Sequence, residues 1–161
     1  MSIEMVETTS LSIEQKEAIF RMWNNEYPAQ LAYDSIEDLD VYLGNLHSAY
    51  HYFAVDIVGN IVGWAFSFVR ESEKWFAIIV DSTLHKTGVG TMFLNRLKEK
   101  TMLLNGWLTD HDNYIRCDGT PYISPVGFYL KNGFTLHADI RLQTDQLSAA
   151  KITWNLEGSL E

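Results

Sequence analysis

Three short stretches carry residue types spaced for chemistry. The first is His85-Lys86-Thr87-Gly88-Val89-Gly90-Thr91, which follows the apolar run 76–80 and leads into a helical pattern. A glycine-spaced turn that opens a helix presents several backbone N–H groups with no partner of their own, which makes an anion site, most often for phosphate. The second is Phe128-Tyr129-Leu130-Lys131-Asn132-Gly133-Phe134, an amphipathic run closed by glycine and holding a phenol. The third is Asp110-His111, acid–base side chains that follow a short apolar segment and open a polar loop over residues 110–123. Asp110, His111 and Asp112 also bear metal-ligand atoms, but no second spaced pair completes a ligand set, so no metal is expected. Cys117 stands without a surrounding motif and reads as an ordinary thiol, while His47, His51 and His137 read as structural.

The glycine turn fits two familiar phosphate motifs poorly. A P-loop needs Gly, four residues, then Gly-Lys-Ser or Gly-Lys-Thr, whereas Gly90 is followed directly by Thr91 with no lysine. A dinucleotide fingerprint needs a third glycine three residues on, and position 93 is Phe.

The elements that must position these stretches follow from periodicity. Residues 3–7 alternate as a short strand. Ser12 with Gln15 makes a capping box ahead of a helix whose apolar face is Ala18, Ile19, Met22 and Trp23, ending near Tyr27 before Pro28. Ile36, Leu39, Leu43 and Leu46 have helical spacing, with Asp34, Glu37, Asp38 and Asp40 elsewhere on the wheel, mainly a solvated face. Residues 51–58 and 61–70 form a hairpin about Gly59-Asn60, a two-residue type II′ turn. In its second strand Trp64, Phe66 and Phe68 point one way and Gly63, Ala65 and Ser67 the other, giving one bulky face and one flat face. A strand over 74–80, apolar on both faces, completes three antiparallel strands. The helix after Gly90 carries Val89, Phe93, Leu97 and Leu104 on a face, with Asn105-Gly106 as its C-cap and a strand at 107–109. Strand, helix, strand implies a right-handed crossover and a parallel pair, with the glycine turn at the carboxyl end of the buried strand, where ligands of such sheets bind. Ser124 caps a short helix with Pro125 in its first turn, and residues 134–140 and 151–156 close the chain as two strands.

Composition sets the frame. The chain has 161 residues, 47% hydrophobic and 13% aromatic, which predicts one well-filled domain over 1–161 that buries about 70% of the surface of its unfolded chain. With 21 acidic against 12 basic side chains, the net charge of −9 disfavours nucleic acid and anionic membranes and suits a cationic partner such as an amine. The first residues lack signal-peptide character and no apolar run approaches a membrane span, so a soluble, cytoplasmic protein is expected. Exposed apolar surface leaves room for a homodimer.

The segment from Val80 to Gly90 and the Phe-Tyr-Leu-Lys-Asn-Gly-Phe run about forty residues later together resemble the GNAT superfamily of acyl-CoA-dependent N-acyltransferases, and the order of elements matches nearly the whole chain. The resemblance implies an α/β (α+β) fold: a mixed, mostly antiparallel central sheet, helices on both faces, and a splayed parallel strand pair forming a CoA cleft. It implies acetyl-CoA as cofactor, its pyrophosphate cradled by amides from Lys86, Thr87, Gly88, Val89, Gly90 and Thr91, with Gly88 and Gly90 allowing close approach. The backbone of Ile78, Ile79 and Val80 would pair with the pantetheine amides like an added strand. His85 stands where the family usually has Gln or Arg, and the family's Asn before the tyrosine helix has no counterpart at that spacing, since Asn113 lies elsewhere. Tyr129 falls at the family's general-acid position, and Asp110 and His111 are the candidate base. The implied reaction is direct attack of a primary amine of a small molecule or protein on the thioester. The alternative is a non-catalytic acyl-CoA-binding or interaction module with the same fold.

Overall fold

The computed structural model describes residues 2–159. In chain order the elements are β1 (Glu4–Thr8), α1 (Ile13–Glu26), a 3-10 turn (Ala29–Leu31), α2 (Ile36–Gly44), β2 (Tyr50–Val55), β3 (Ile61–Arg70) and β4 (Glu73–Val80). A second 3-10 turn (Ser82–Leu84) leads to α3 (Val89–Glu99), β5 (Leu103–Leu108), α4 (Val126–Lys131), β6 (Thr135–Gln143), β7 (Ser148–Asn155) and α5 (Leu156–Ser159). The seven strands make one sheet in the order β1-β2-β3-β4-β5-β7-β6, and every pair is antiparallel except β4 with β5.

The two faces of β3 explain the layers. Trp64, Phe66 and Phe68 join Ala18, Ile19, Met22 and Trp23 of α1 and Leu39 and Leu43 of α2 in one core. On the other face the small side chains admit α3: a Cβ at Gly63 would lie 2.9 Å from the Phe93 ring, so the absence of a side chain there sets how close the helix comes. Phe93, Leu94, Leu97, Tyr129 and Phe134 fill that second core. Helix α1 starts with both bonds of the capping box between Ser12 and Gln15, and Ser35 caps α2 through the Asp38 N–H. At the far end of α1, Glu26 accepts from Ser82 N–H, which joins that helix end to the end of β4.

The parallel pair defines the site. Strands β4 and β5 share a single register point, Trp75 opposite Asn105. Beyond it β4 stays on β3 as far as Val80 opposite Gly63, while β5 stays on β7 as far as Leu108 opposite Ala150. The two strands therefore part toward their carboxyl ends, leaving a split that faces the glycine turn.

Three local expectations are corrected. The β2–β3 connection is not a two-residue type II′ turn. Asp56 and Asn60 flank a three-residue loop in which Gly59 N–H donates to Asp56 O, Asp56 N–H donates to Asn60 O, and Gly59 takes φ +99°, which is a type I turn with a glycine bulge. The Asp56 carboxylate also accepts from the N–H groups of Val58 and Asn60, a local bond that selects the longer loop and leaves Ile57 and Val58 exposed. Second, Asn105-Gly106 is not a helix C-cap: α3 stops at Glu99 with Lys100 as its cap, and Leu104, Asn105 and Gly106 lie inside β5. Gly106 is small because the Phe76 ring lies 3.0 Å from where its Cβ would be. Third, the last strands run longer than 134–140 and start earlier than 151, and β7 inserts between β5 and β6.

His51 is buried in the aromatic layer of β2 and β3, stacked near Trp64 and Phe66, and accepts a 3.1 Å bond on Nδ1 from the Trp64 indole N–H. Burial pushes its pKa down from 6.5 to about 4. The unfolded chain therefore binds the proton first: the stability held by neutral His51 is complete above about pH 6.5 and is lost as pH falls toward 4. Urea unfolding should show a loss of roughly 2 kcal/mol from this group between pH 7 and pH 5. His51→Gln should flatten that slope; an unchanged slope would contradict the assignment.

Candidate active site

The turn between β4 and α3 is built from its own side chains. Asp81 accepts from the N–H and hydroxyl of Thr83, and buried Leu84 anchors the 3-10 turn in the core. Lys86 (φ +66°) and Gly88 (φ +92°) then reverse the chain in left-handed conformations, the second of which suits glycine. The first turn of α3 leaves the N–H groups of Val89, Gly90 and Thr91 without acceptors, since the first helical bond runs from Met92 N–H to Gly88 O. Lys86 and Gly88 N–H are likewise without acceptors among the described residues, whereas Thr87 N–H is spent on Leu84 O. The two glycines differ in purpose. Gly88 has open space around its missing Cβ, while a Cβ on Gly90 would lie 2.9 Å from the Phe128 ring, so Gly90 is small to let α4 pack.

His85 does not reach outward over the turn. Its Nε2 lies 2.9 Å from Val80 O, folding the ring back on the end of β4. The free anion donors of the turn are thus backbone groups together with the exposed Lys86 ammonium, and not the His85 ring.

The open edge of β4 follows from strand alternation. Asp81 N–H donates to Val62 O, so the 62–81 pair exchanges bonds and, two residues on, Ile79 does so with Trp64. The N–H and C=O groups of Ile78 and Val80 then point to the β5 side, where the strand has moved away. Ile79 is a correction to the expected trio: its backbone belongs to the β3 ladder and its side chain to the α1/α2 core. Of the remaining groups, Val80 O is engaged by His85.

Tyr129 enters from the α3/α4 face. Its ring sits edge-on against Phe76, Phe128 and Phe134 at 5.9, 5.0 and 5.3 Å. Burial, with a smaller contribution from Tyr122, pushes its phenol well above the usual value, so it stays protonated at neutral pH. Gly133 at φ +88° lets the chain turn back so that Phe134 N–H caps Tyr129 O, which fixes the helix end.

The candidate bases are otherwise engaged. Both oxygens of Asp110 accept from the Arg141 guanidinium at 2.7 and 3.0 Å, and that pairing holds the carboxyl below its ordinary range, which weakens it as a base. His111 Nδ1 accepts from Asn113 N–H at 3.2 Å, so the lone pair of the neutral ring is occupied.

Several residues at the split carry no sequence motif. Tyr27, the C-cap of α1, and Tyr122, from the long loop, have phenols pushed up first by burial, Tyr122 to about 12. The Tyr122 and Tyr129 phenols both press on Tyr27. Tyr27 comes from the α1 face of the sheet and Tyr129 from the α4 face, a proximity that the parted strands permit. Glu26 links the same region: it accepts from Arg116 at 3.1 Å and from Ser82 N–H at 3.1 Å, tying α1 to the loop and to the end of β4. The only available signal was the density of tyrosines, which says nothing of where they meet. A surface cavity of about 350 Å³, lined by residues including His47, Phe68, Arg70 and Glu71, lies at the β3–β4 turn, the opposite end of β4.

No protein-family model and no curated protein matches the sequence. Solved structures do match. A putative phosphinothricin N-acetyltransferase aligns with 96% of this chain and 99% of its own at a TM-score of 0.71 and 16% identity. An aminoglycoside 6'-N-acetyltransferase complexed with coenzyme A aligns over 94% and 96%, at 0.69 and 15%. A GNAT superfamily phosphinothricin acetyltransferase from Sinorhizobium meliloti, in complex with AcCoA, aligns over 100% and 92%, at 0.69 and 12%. The fold of this chain is that of the GNAT acetyltransferases, and at these identities the likeness establishes the fold alone.

Gly90→Ala tests the packing of the turn. Overpacking costs roughly 1–3 kcal/mol and outweighs the gain of under about 1 kcal/mol in helix propensity. Thermal unfolding should show net destabilisation; a stabilised variant would contradict the close contact with Phe128.

Proposed function

We propose that this protein is an acyl-CoA-dependent N-acetyltransferase that moves an acetyl group from acetyl-CoA to a primary amine by direct attack, as a soluble cytoplasmic enzyme. The observation that carries the reading is the split between β4 and β5, with unpaired edge groups on Ile78, an unpaired N–H on Val80, and unpaired amides at Gly88, Val89, Gly90 and Thr91 beside its mouth. An extended chain bearing amides fits the strand edge, and a pyrophosphate fits the helix start; CoA has both. The proteins of like fold that carry CoA or AcCoA support the same ligand.

Bound acetyl-CoA supplies an activated acyl group at a thioester. Tyr129 would act as the general acid: as the carbon–nitrogen bond forms and the carbon–sulfur bond breaks, the buried phenol would donate to the departing thiolate, of ordinary pKa near ~8.5. The proton released by the newly acylated nitrogen would restore the phenol, which burial makes the group that holds a proton most firmly. The Val80 N–H on the open edge of β4 would donate to the thioester carbonyl oxygen. On the acceptor side a cationic amine of pKa ~10.4 must first lose a proton, at about 4.6 kcal/mol at pH 7. With Asp110 held by Arg141 and His111 by Asn113, that proton passes to water at the mouth of the split.

Tyr129→Phe should lower kcat by roughly 10²-fold or more while leaving acetyl-CoA affinity unchanged in calorimetry. Unchanged turnover would remove Tyr129 from the mechanism. His111→Ala should change kcat/KM less than about threefold, and the log rate should rise with unit slope in pH below the acceptor's pKa; a hundredfold loss would return His111 to the role of base. Acetyl-CoA binding with no thiol release for any amine would favour the alternative, a binding module.

A further inference from the structure

Glu26 stands where its own helix does not support it. It is the last residue of α1, at the negative end of the helix dipole, and the last turn of α1 carries no basic side chain. Two distant groups hold it instead. Its Oε1 accepts from Arg116 Nη1 at 3.1 Å, and its Oε2 accepts from Ser82 N–H at 3.1 Å. The pair is largely shielded from water, with 12% of the Glu26 side chain and 21% of the Arg116 side chain exposed. Ser82 opens the 3-10 turn that leads from β4 toward the glycine turn. One carboxylate therefore joins the long loop after β5 to the root of the candidate CoA turn.

That loop divides into a fastened base and an arm. At the base Ser124 N–H donates to Asp112, Ser148 N–H to the Tyr114 hydroxyl, and Ala29 N–H to Ile115 O. Residues 116–122 fold on the base and on themselves: Arg116 N–H donates to Thr120 O, Gly119 N–H to Arg116 O, and Tyr122 N–H to Tyr114 O. Among the described residues, the hydrogen bond that joins this arm to the chain outside the loop is the one from Arg116 to Glu26. Residues 117–121 are exposed, whereas Tyr122 lies close enough to Tyr27 and Tyr129 to push both phenols up. The arm is thus a wall of the split on the α1 side, held shut by one ion pair.

A carboxylate on a flexible side chain stays on Ser82 N–H only while something fixes it. Arg116 does so with the arm closed. When the arm opens, Glu26 loses its charge partner at an unfavourable helix end and turns to water, and Ser82 N–H loses its acceptor. Resting on the acetyltransferase reading, we propose that Glu26 is a positioning residue that couples the two sides of the split: CoA seated on the glycine turn favours the closed arm, and the closed arm favours CoA. Such coupling is reciprocal by linkage. The wall that carries Tyr122 is then set in place by the same event that brings the thioester to Tyr129.

The test is residue-resolved amide exchange on the full chain with and without saturating CoA, alongside calorimetry of CoA binding. In the unaltered protein CoA should slow exchange at Arg116, Gly119 and Tyr122 of the arm by roughly fivefold or more. Two variants break the link from either side. Glu26→Gln has a single acceptor oxygen and can serve only one of its two donors, and Arg116→Met keeps an apolar stem without the guanidinium. Both should bind CoA roughly fivefold more weakly, and in both CoA should no longer slow the arm. A merely structural Glu26 would change exchange of the arm equally with and without CoA, so the difference made by CoA is the deciding readout. CoA protecting Gly90 and Thr91 while leaving the arm unchanged would overturn the coupling and keep the CoA site. Slowing of the arm that persists in either variant, or CoA affinity unchanged in both, would also overturn the coupling. CoA failing to bind the unaltered protein would overturn the acetyltransferase reading and the coupling with it.

Discussion

One point of register holds the parallel strands together, and the rest of the site depends on it. Asn105, almost wholly buried, sits opposite Trp75 and sends its amide N–H groups to Lys74 O at 3.2 Å and to Glu73 Oε1 at 3.4 Å. At this point alone β5 is fastened to β4. Above it each strand is bound to its antiparallel neighbour along its length and has no ladder to the other. Two right-twisting ribbons that share one fixed point diverge from it, so the split is the outcome of pairing preference rather than of strain.

The split has consequences on both faces. Toward α3 it exposes the edge of β4 to a ligand whose phosphates would meet the helix start, and the Phe76, Phe128 and Phe134 rings hold Tyr129 in the same opening. Toward α1 it brings Tyr27 and Tyr122 within electrostatic reach of Tyr129. A sheet normally separates the chemistry of its two faces. Here a gap in the ladder joins them, so one face can hold a donor and the other an acceptor for a group passed between.

Much of this was legible in the chain. The Ser12–Gln15 capping box, the bulky and flat faces of β3, the glycine turn and the Gly133 stop are local signals, decided by residues a few positions apart, and each is found where it was expected. The misread places are those where a distant contact outweighs a local pattern. Asn105-Gly106 looks like a helix stop, yet Asn105 is drawn into β5 by the backbone of β4 and Gly106 is small for Phe76. Gly59-Asn60 looks like a two-residue turn until the Asp56 carboxylate caps a longer one. Asp110 and His111 follow β5 as expected, but Arg141 and Asn113, the first from a strand thirty-one residues on, take their acceptor atoms. The pairing of Glu26 with Arg116 across ninety residues had no sequence signal.

The central claim is that the open edge of β4 and the start of α3 receive CoA through backbone groups. Residue-resolved amide hydrogen exchange with and without saturating acetyl-CoA tests it most directly. Ile78, Val80 and the amides of Val89, Gly90 and Thr91 should become protected on binding, while Ile79, already paired with β3, should stay unchanged. Acetyl-CoA bound with no added protection at those amides, or protection confined to other parts of the chain, would contradict the account.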